Sequence, residues 1–332
     1  MSDTSIGHGC DHSAMSIPGL LIASFGGPES PEEVLPFLQR VTAGRDVPPE
    51  RLAIVEQQYA AVGGFSPINR LTRLLAEEVK AELERRELSP VITVGFRNCD
   101  PSFAQALTRM KARGVGEVLA VVTSAYSSYS GCGQYREELE AAAEEVGEIS
   151  VTKAPPYFDA PGFLAPLTES SKRARKELGE QTVLVCTAHS LPVSQADSVA
   201  YVAQLKQSAQ AIAEWGGFVD WRLAFQSRSG SPETPWLEPD VTDVLRELAA
   251  GGTPGVVIAP LGFVHDHMEV IYDLDQVAVP LAKELGMRVQ RVRTPGTSPR
   301  FVELVADIYV AQLDGLVEDR RICGPDCCAS RR

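Results

Sequence analysis

The run Val185-Cys-Thr-Ala-His-Ser-Leu-Pro192 decides how this chain is read. Thr182–Thr187 is short, apolar and β-branched, the signature of a strand buried on both faces. A histidine, His189, follows its end. The pattern returns 80 residues on: Gly255–Phe263 is a second such strand, and Val264-His-Asp-His-Met-Glu-Val-Ile-Tyr-Asp-Leu-Asp275 follows it with Glu269. In parallel α/β folds functional groups collect outside the carboxyl ends of strands. An imidazole and a carboxylate delivered there can hold a divalent cation, accept protons, or both. The two segments are expected to meet in one cleft.

Outward from this pair, strand-like runs alternate with amphipathic ones. Further strands are expected at Gly19–Phe25, Val91–Phe96, Val118–Thr123, Ile149–Ala154, Trp221–Gln226 and Met287–Val292. Helical patterns occupy Arg70–Glu87, Ser102–Arg113, Tyr135–Val146, Ala160–Leu178, Val199–Gly216 and Val241–Leu248. This spacing predicts an α/β protein of two Rossmann-like halves, each a four-stranded parallel sheet flanked by helices. A first domain is expected over residues 17–125 plus 296–318 and a second over 126–295, between a tail of residues 1–16 and a cysteine-bearing tail of 319–332. The last helix, Ser298–Val317, is expected to cross back onto the first half.

At 332 residues the chain exceeds what one core comfortably fills. Its 44% hydrophobic and 23% charged content is that of a globular protein. A net charge of −13 argues against a nucleic-acid footprint, which needs a clustered basic face. No apolar stretch approaches the ~20 residues of a membrane span. Met1–Ser16 is polar, without the basic and apolar regions of a signal peptide, so a cytoplasmic enzyme is expected.

Two glycine turns, Gly26-Gly27-Pro28 and Gly63-Gly64, match neither a dinucleotide fingerprint nor a phosphate loop, so nucleotide binding has no support. They are tight turns or places where a ligand lies against backbone. Glu269 and Asp273 stand four apart on one helical face, with Asp275 and Gln276 flanking it. Acids in a first helical turn are ordinarily dipole complements in solvent. Here their neighbours speak for a site: His265, His267 and His189 all lie beside strand ends, and the chain has five histidines, the other two in the N-terminal tail. No serine sits in a nucleophile elbow, and no cysteine–histidine pair resembles a protease.

Of seven cysteines, Cys186 and Cys99 lie in or beside strands as core thiols, and Cys10 lies between His8 and His12 in the tail. Cys323, Cys327 and Cys328 place three thiols within six residues, and Cys132 sits in the glycine loop Ser130-Gly-Cys-Gly133. Four thiolates fit a [2Fe–2S] cluster or zinc, and a redox-sensitive tail is the plainer alternative.

Five runs in order carry a resemblance. Leu21-Ile-Ala-Ser-Phe-Gly-Gly-Pro28, Tyr59-Ala-Ala-Val-Gly-Gly-Phe-Ser-Pro67 and Ala188-His-Ser-Leu-Pro192 are similar to signatures of the ferrochelatase family. So are Phe225-Gln-Ser-Arg228 with Pro235-Trp-Leu-Glu-Pro239, and Pro260–Asp275. The resemblance implies a lyase that inserts Fe²⁺ into a porphyrin. His189 would take a proton or ligate iron, Glu269 would hold the cation opposite it, and Asp273 would extend an acidic track. Ser66 and Tyr135 fall where the family meets the ring or a propionate. Phe25, Tyr126, Tyr129 and Trp236 are candidate walls, and Arg45 a candidate propionate partner, with core packing or a solvated surface as the plain alternatives. Three departures stand out: Phe25 cannot ligate iron as a tyrosine does in some members, Gln58 replaces an arginine of some relatives, and Val277 interrupts the acidic row. The cysteine arrangement resembles members with a [2Fe–2S] cluster on Cys132, Cys323, Cys327 and Cys328, actinobacterial forms that act on coproporphyrin III. Protoporphyrin IX as substrate, a cobalt chelatase and a non-catalytic tetrapyrrole carrier are the alternatives left open.

Overall fold

The computed structural model describes residues 17–44, 47–196, 200–229 and 233–317. Eight strands form two parallel sheets: β1 (Gly19–Ser24), β2 (Ile92–Phe96), β3 (Glu117–Val122) and β4 (Ser150–Lys153) in the order 2-1-3-4, and β5 (Val183–His189), β6 (Trp221–Gln226), β7 (Gly255–Ala259) and β8 (Arg288–Arg291) in the order 6-5-7-8. The central strands β1 and β7 are buried along their whole length, as the apolar runs require when helices cover both faces. Every expected strand is present, and the Rossmann-like duplication is as expected.

The expected domain break is corrected. Residues 117–120 pair with 150–153, and the helix Gln134–Val146 buries Tyr135 and Leu139 in the core beneath the first sheet. The first half therefore runs through β4, and the boundary lies between β4 and β5 instead of at residue 126. The strand pairing settles this, because one sheet cannot be split between two units.

Two helices absent from the pattern-based reading, Pro31–Val41 and Pro49–Ala61, precede the helix Ile68–Arg85 between β1 and β2. Pro49–Ala61 buries only Tyr59, so its sequence shows little amphipathic stripe. Val34, Phe37, Leu38 and Tyr59 of the pair pack with Met268 of the second half. One apolar cluster also joins the sheets, taking in Leu20, Ile22, Leu184 and Cys186. Gln204 ties the halves together by accepting from the Ser127 amide at 2.8 Å and donating to the Ser127 hydroxyl at 2.9 Å. The final helix, Pro299–Leu313, sends the Tyr309 hydroxyl to the Pro18 carbonyl at 2.6 Å. Among the described residues, no helix is long and apolar enough to cross a membrane.

Candidate active site

His189 is the last residue of β5 and Glu269 belongs to the short helix Met268–Val270 after β7. Adjacent parallel strands thus deliver both to one end of the second sheet. His189 Nε2 lies 3.6 Å from Glu269 Oε2, each side chain about one-third exposed. His189 Nδ1 is 2.5 Å from the Ser190 carbonyl. A carbonyl can only accept, so Nδ1 carries a proton, and Nε2 is the ring nitrogen that faces Glu269. The Tyr201 hydroxyl donates to the His189 carbonyl at 3.0 Å, and the Ser190 amide to Gln226 O at 2.8 Å, holding the strand end in place.

One expectation changes here. A flat ring between two side chains needs about 3.5 Å on each face, roughly 7 Å in all. At 3.6 Å, His189 and Glu269 cannot stand opposite one another across a macrocycle. They form a single pair on one side of the cleft.

Beyond Glu269 the chain widens into a π-helical segment, Ile271–Ala278, where an ordinary helix was expected. Asp273 lies on it, and the Ser227 hydroxyl donates to Asp273 Oδ2 at 2.5 Å. Ser227 holds φ at +61°, a left-handed conformation rare outside glycine, and it does so beside the Asp273 carboxylate. Burial pushes the Asp273 carboxyl up to about 6, which the Ser227 hydrogen bond opposes and the nearby Glu269 charge reinforces. Glu269 and Asp273 share a cavity of about 260 Å³ with Gln226 and Ser227, whose opposite wall is Arg51, Val55 and Gln58 of the helix Pro49–Ala61. Val277 lines the same cavity where the acidic row breaks. Asp275 does not flank it as expected: it turns away to Arg291, at 2.9 and 2.5 Å.

The other strand-end histidines stay out of the cleft. His267 caps the short helix, Nδ1 accepting from the Glu269 amide at 3.2 Å, so it sets the backbone under Glu269. His265 is 2% exposed, burial presses its pKa down to about 3, and neither ring nitrogen has a partner among the described residues. It is a neutral core histidine.

The remaining candidates divide. Phe25 is partly exposed just past the end of β1, 5.5 Å beneath the Arg97 guanidinium and edge-on to Phe37. Ser66 is buried against the Gly26-Gly27 turn, its amide donating to Pro28 O at 2.8 Å, and a Cβ on Gly27 would come within 2.7 Å of Ser66 Cβ. Asn69 locks that turn in both directions, accepting from Gly27 N at 2.9 Å and donating to Gly27 O at 2.8 Å. Tyr135, expected at the ring or a propionate, and Tyr126, a candidate wall, both lie in the core. Tyr135 packs on Phe103 with Arg97 4.9 Å above its ring, and burial pushes its hydroxyl up to about 12. Tyr126 is enclosed by Phe158, Phe163 and Tyr201. The Tyr129 hydroxyl donates to Glu137 at 3.0 Å, and Trp236 pairs by backbone with Pro192. Arg45, Cys323, Cys327 and Cys328 lie outside the described residues. Cys132 is a buried free thiol in the turn Tyr129–Gly133.

Sequence reasoning missed Arg97, Ser227 and Arg291 as individuals. Each is an ordinary polar residue at a strand end, and what distinguishes it is a φ angle or a cross-chain partner.

Comparison with solved structures identifies the architecture. SirB from Bacillus subtilis, solved with Fe³⁺, superposes with a TM-score of 0.55 at 14% identity over 90% of this chain and 98% of that one. CbiX, the terminal enzyme for biosynthesis of siroheme in denitrifying bacteria, gives 0.54 at 16% identity over 88% and 98%. The fold is that of the chelatases. The ferrochelatase family model matches residues 18–313, and the chain belongs to that family. It is 46% identical to the coproporphyrin III ferrochelatase of Frankia alni over 89% of this chain and 80% of that protein. It is 41% identical to the enzyme of the same name from Mycolicibacterium smegmatis over 94% of each. With the ferrochelatase of Rhodopirellula baltica the identity is 42%, over 93% of this chain and 92% of that one.

Proposed function

We propose that the protein inserts ferrous iron into coproporphyrin III, with His189 and Glu269 working together on one face of the ring. The observation that carries this is the 3.6 Å approach of the His189 imidazole to the Glu269 carboxylate at the end of the second sheet. Insertion changes no oxidation state: Fe²⁺ enters and two pyrrole protons leave. Nε2 of His189 accepts a ring proton, and the Glu269 carboxylate stabilises the imidazolium that forms. Asp273, whose pKa near 6 lets it exchange protons close to neutrality, passes them toward the cavity beneath Arg51. The same acidic row serves an arriving Fe²⁺, because carboxylates replace part of its water shell. Phe25 and the Gly26-Gly27 turn, backed by Ser66, offer an apolar wall and bare backbone to the ring.

Coproporphyrin carries four propionates, protoporphyrin IX two. The names of the Frankia and Mycolicibacterium relatives favour the former, and Arg51 and Arg228 on the cavity wall suit carboxylates. The test is anaerobic turnover of both porphyrins with Fe²⁺, followed by absorbance of the metallated product. Faster turnover of protoporphyrin IX overturns the substrate assignment. Ring binding without metallation by the wild-type protein overturns the enzyme in favour of a carrier, and a strong preference for Co²⁺ overturns iron.

A [2Fe–2S] cluster on Cys132, Cys323, Cys327 and Cys328 is part of the same reading. Cys132 fits as one donor: it is a buried thiol outside any disulfide, in the π-helical segment Tyr129–Gly133. Such a cluster would be structural or sensory, since the reaction transfers no electrons. A colourless protein carrying zinc refutes it. A cytoplasmic location goes with this reading.

A further inference from the structure

We propose that Arg291 is a positioning residue for iron insertion: it locks the backbone that carries Glu269 and Asp273 at two points, so that Glu269 stays turned toward His189 and Asp273 toward Ser227. This rests on the proposed reaction. Arg291 ends β8 and pairs in register with Ile258 of β7, so its backbone is part of the sheet. Its guanidinium is mostly buried, with 11% of the side chain exposed. It grips Asp275 by two parallel bonds, Nε to Oδ1 at 2.9 Å and Nη2 to Oδ2 at 2.5 Å. The remaining nitrogen, Nη1, reaches both oxygens of Asp266 at 3.0 Å.

These two aspartates bracket the working residues. Asp266 stands immediately before His267, the cap beneath Glu269, and Asp275 stands two positions after Asp273. Side chains two apart in a helix point in different directions, so anchoring Asp275 to the sheet fixes which way Asp273 faces. The anchor matters because the segment is π-helical over eight residues, a rare form that mostly occurs as single-turn bulges inside α-helices. An arginine fork holds direction as well as charge, which a lysine cannot reproduce. Relaxing to an α-helix would rotate Asp273 away from Ser227 and from the cavity. Arg291 touches neither Glu269 nor Asp273 by any hydrogen bond and acts entirely through the segment it holds.

The test uses the full-length protein and the variants Arg291→Gln, Arg291→Lys, Asp275→Asn and Arg291→Gln/Asp275→Asn. Breaking support of this kind typically lowers activity about 10- to 100-fold, and kcat is expected to fall on that scale while KM for coproporphyrin changes little. Arg291→Lys recovers only part of the rate. The double variant is no slower than Arg291→Gln alone, because the bond removed by the second change is already gone. Amide hydrogen exchange accelerates over residues 268–278 while β5 and β7 keep their protection. If Arg291→Gln does not fold, Asp275→Asn, which retains the pair with Asp266, carries the same comparison. Unchanged kcat in a folded variant overturns the proposal, as does exchange that rises evenly across the molecule, the mark of a stabilising residue only. A wild-type protein that metallates no porphyrin overturns the reaction, while the local exchange result still decides whether Arg291 locks the segment.

Discussion

The two halves of the molecule are the same architecture used for different purposes. Leu20 pairs with Ile92 as Leu184 pairs with Trp221, so a shift of 164 residues lays β1 on β5 and puts Phe25 at the position of His189. By the same pairing Arg97 falls on Gln226. Phe96 and Phe225, the matched residues before them, donate to Pro101 O and Pro239 O, each at 2.9 Å. After the third strand both halves turn through a π-helical segment, Tyr129–Gly133 in the first and Ile271–Ala278 in the second. In the second half these positions hold an imidazole, an amide and a row of carboxylates. In the first they hold a phenyl ring, a guanidinium stacked on it and a glycine-rich turn. The fold supplies two equivalent mouths; on the proposed reaction, side chains at a few strand ends make one of them reactive and leave the other a wall.

The harshest test of that division is to make the second mouth resemble the first. His189→Phe removes the ring nitrogen that lies 3.6 Å from the Glu269 carboxylate and is expected to cost roughly 10²–10⁴-fold in kcat. Adding Phe25→His does not restore it, because no carboxylate lies opposite that position among the contacts of Phe25. Anaerobic initial rates on the single and double variants check both statements. Rescue by the second change would mean that the halves are interchangeable.

A second test concerns pH. Asp273 titrates near 6 in the folded protein against a usual value of 3.8. The folded state therefore holds this proton more tightly than the unfolded one, and stability from this group falls as pH rises from about 3.8 to about 6. Asp273→Asn is expected to raise Tm at pH 7.5 relative to wild type, with the difference shrinking toward pH 4. For turnover, the protonated carboxyl cannot accept another proton, so kcat falls as pH drops through about 6. Ser227→Ala removes the hydroxyl that favours the carboxylate, and its acidic limb moves to higher pH. A limb that stays in place in this variant shows that another group controls it.

How much of this could be read without coordinates follows from where the physics lies. Apolar runs such as Thr182–Thr187 announce buried strands because both of their faces must avoid water, and all eight were legible. That His189 and Glu269 would meet was legible because adjacent parallel strands deliver their ends to one edge of the sheet. The domain break was not, since it depends on which strand β4 pairs with. Nor was the fate of the aromatics: Tyr126 and Phe25 look alike as candidates, and only packing shows that one is walled in by three rings and the other faces solvent. The π-helical widening, the left-handed Ser227 and the Arg291 fork leave no local sequence mark, because each is imposed by partners distant in the chain.

The mildest tests fall on the first half, where a wall should matter less to the rate than to binding and stability. Asn69→Ala strips the Gly27 amide and carbonyl of buried partners and is expected to cost about 1–3 kcal/mol in unfolding free energy. Its Gly26-Gly27 turn would no longer be held against Ser66, so KM for the porphyrin rises while kcat is largely kept. Arg97→Gln copies the second-half residue at that position. It gives up cation–π contacts to Phe25 and Tyr135, worth about 0.5–2 kcal/mol each, and the 3.0 Å bond to Glu138. Denaturant midpoints and porphyrin titrations measure both changes. A first-half variant that kept ring affinity but lost kcat would place chemistry on the wrong side of the molecule. The separation of wall from reactive pair would then fail, even with every contact in the second half intact.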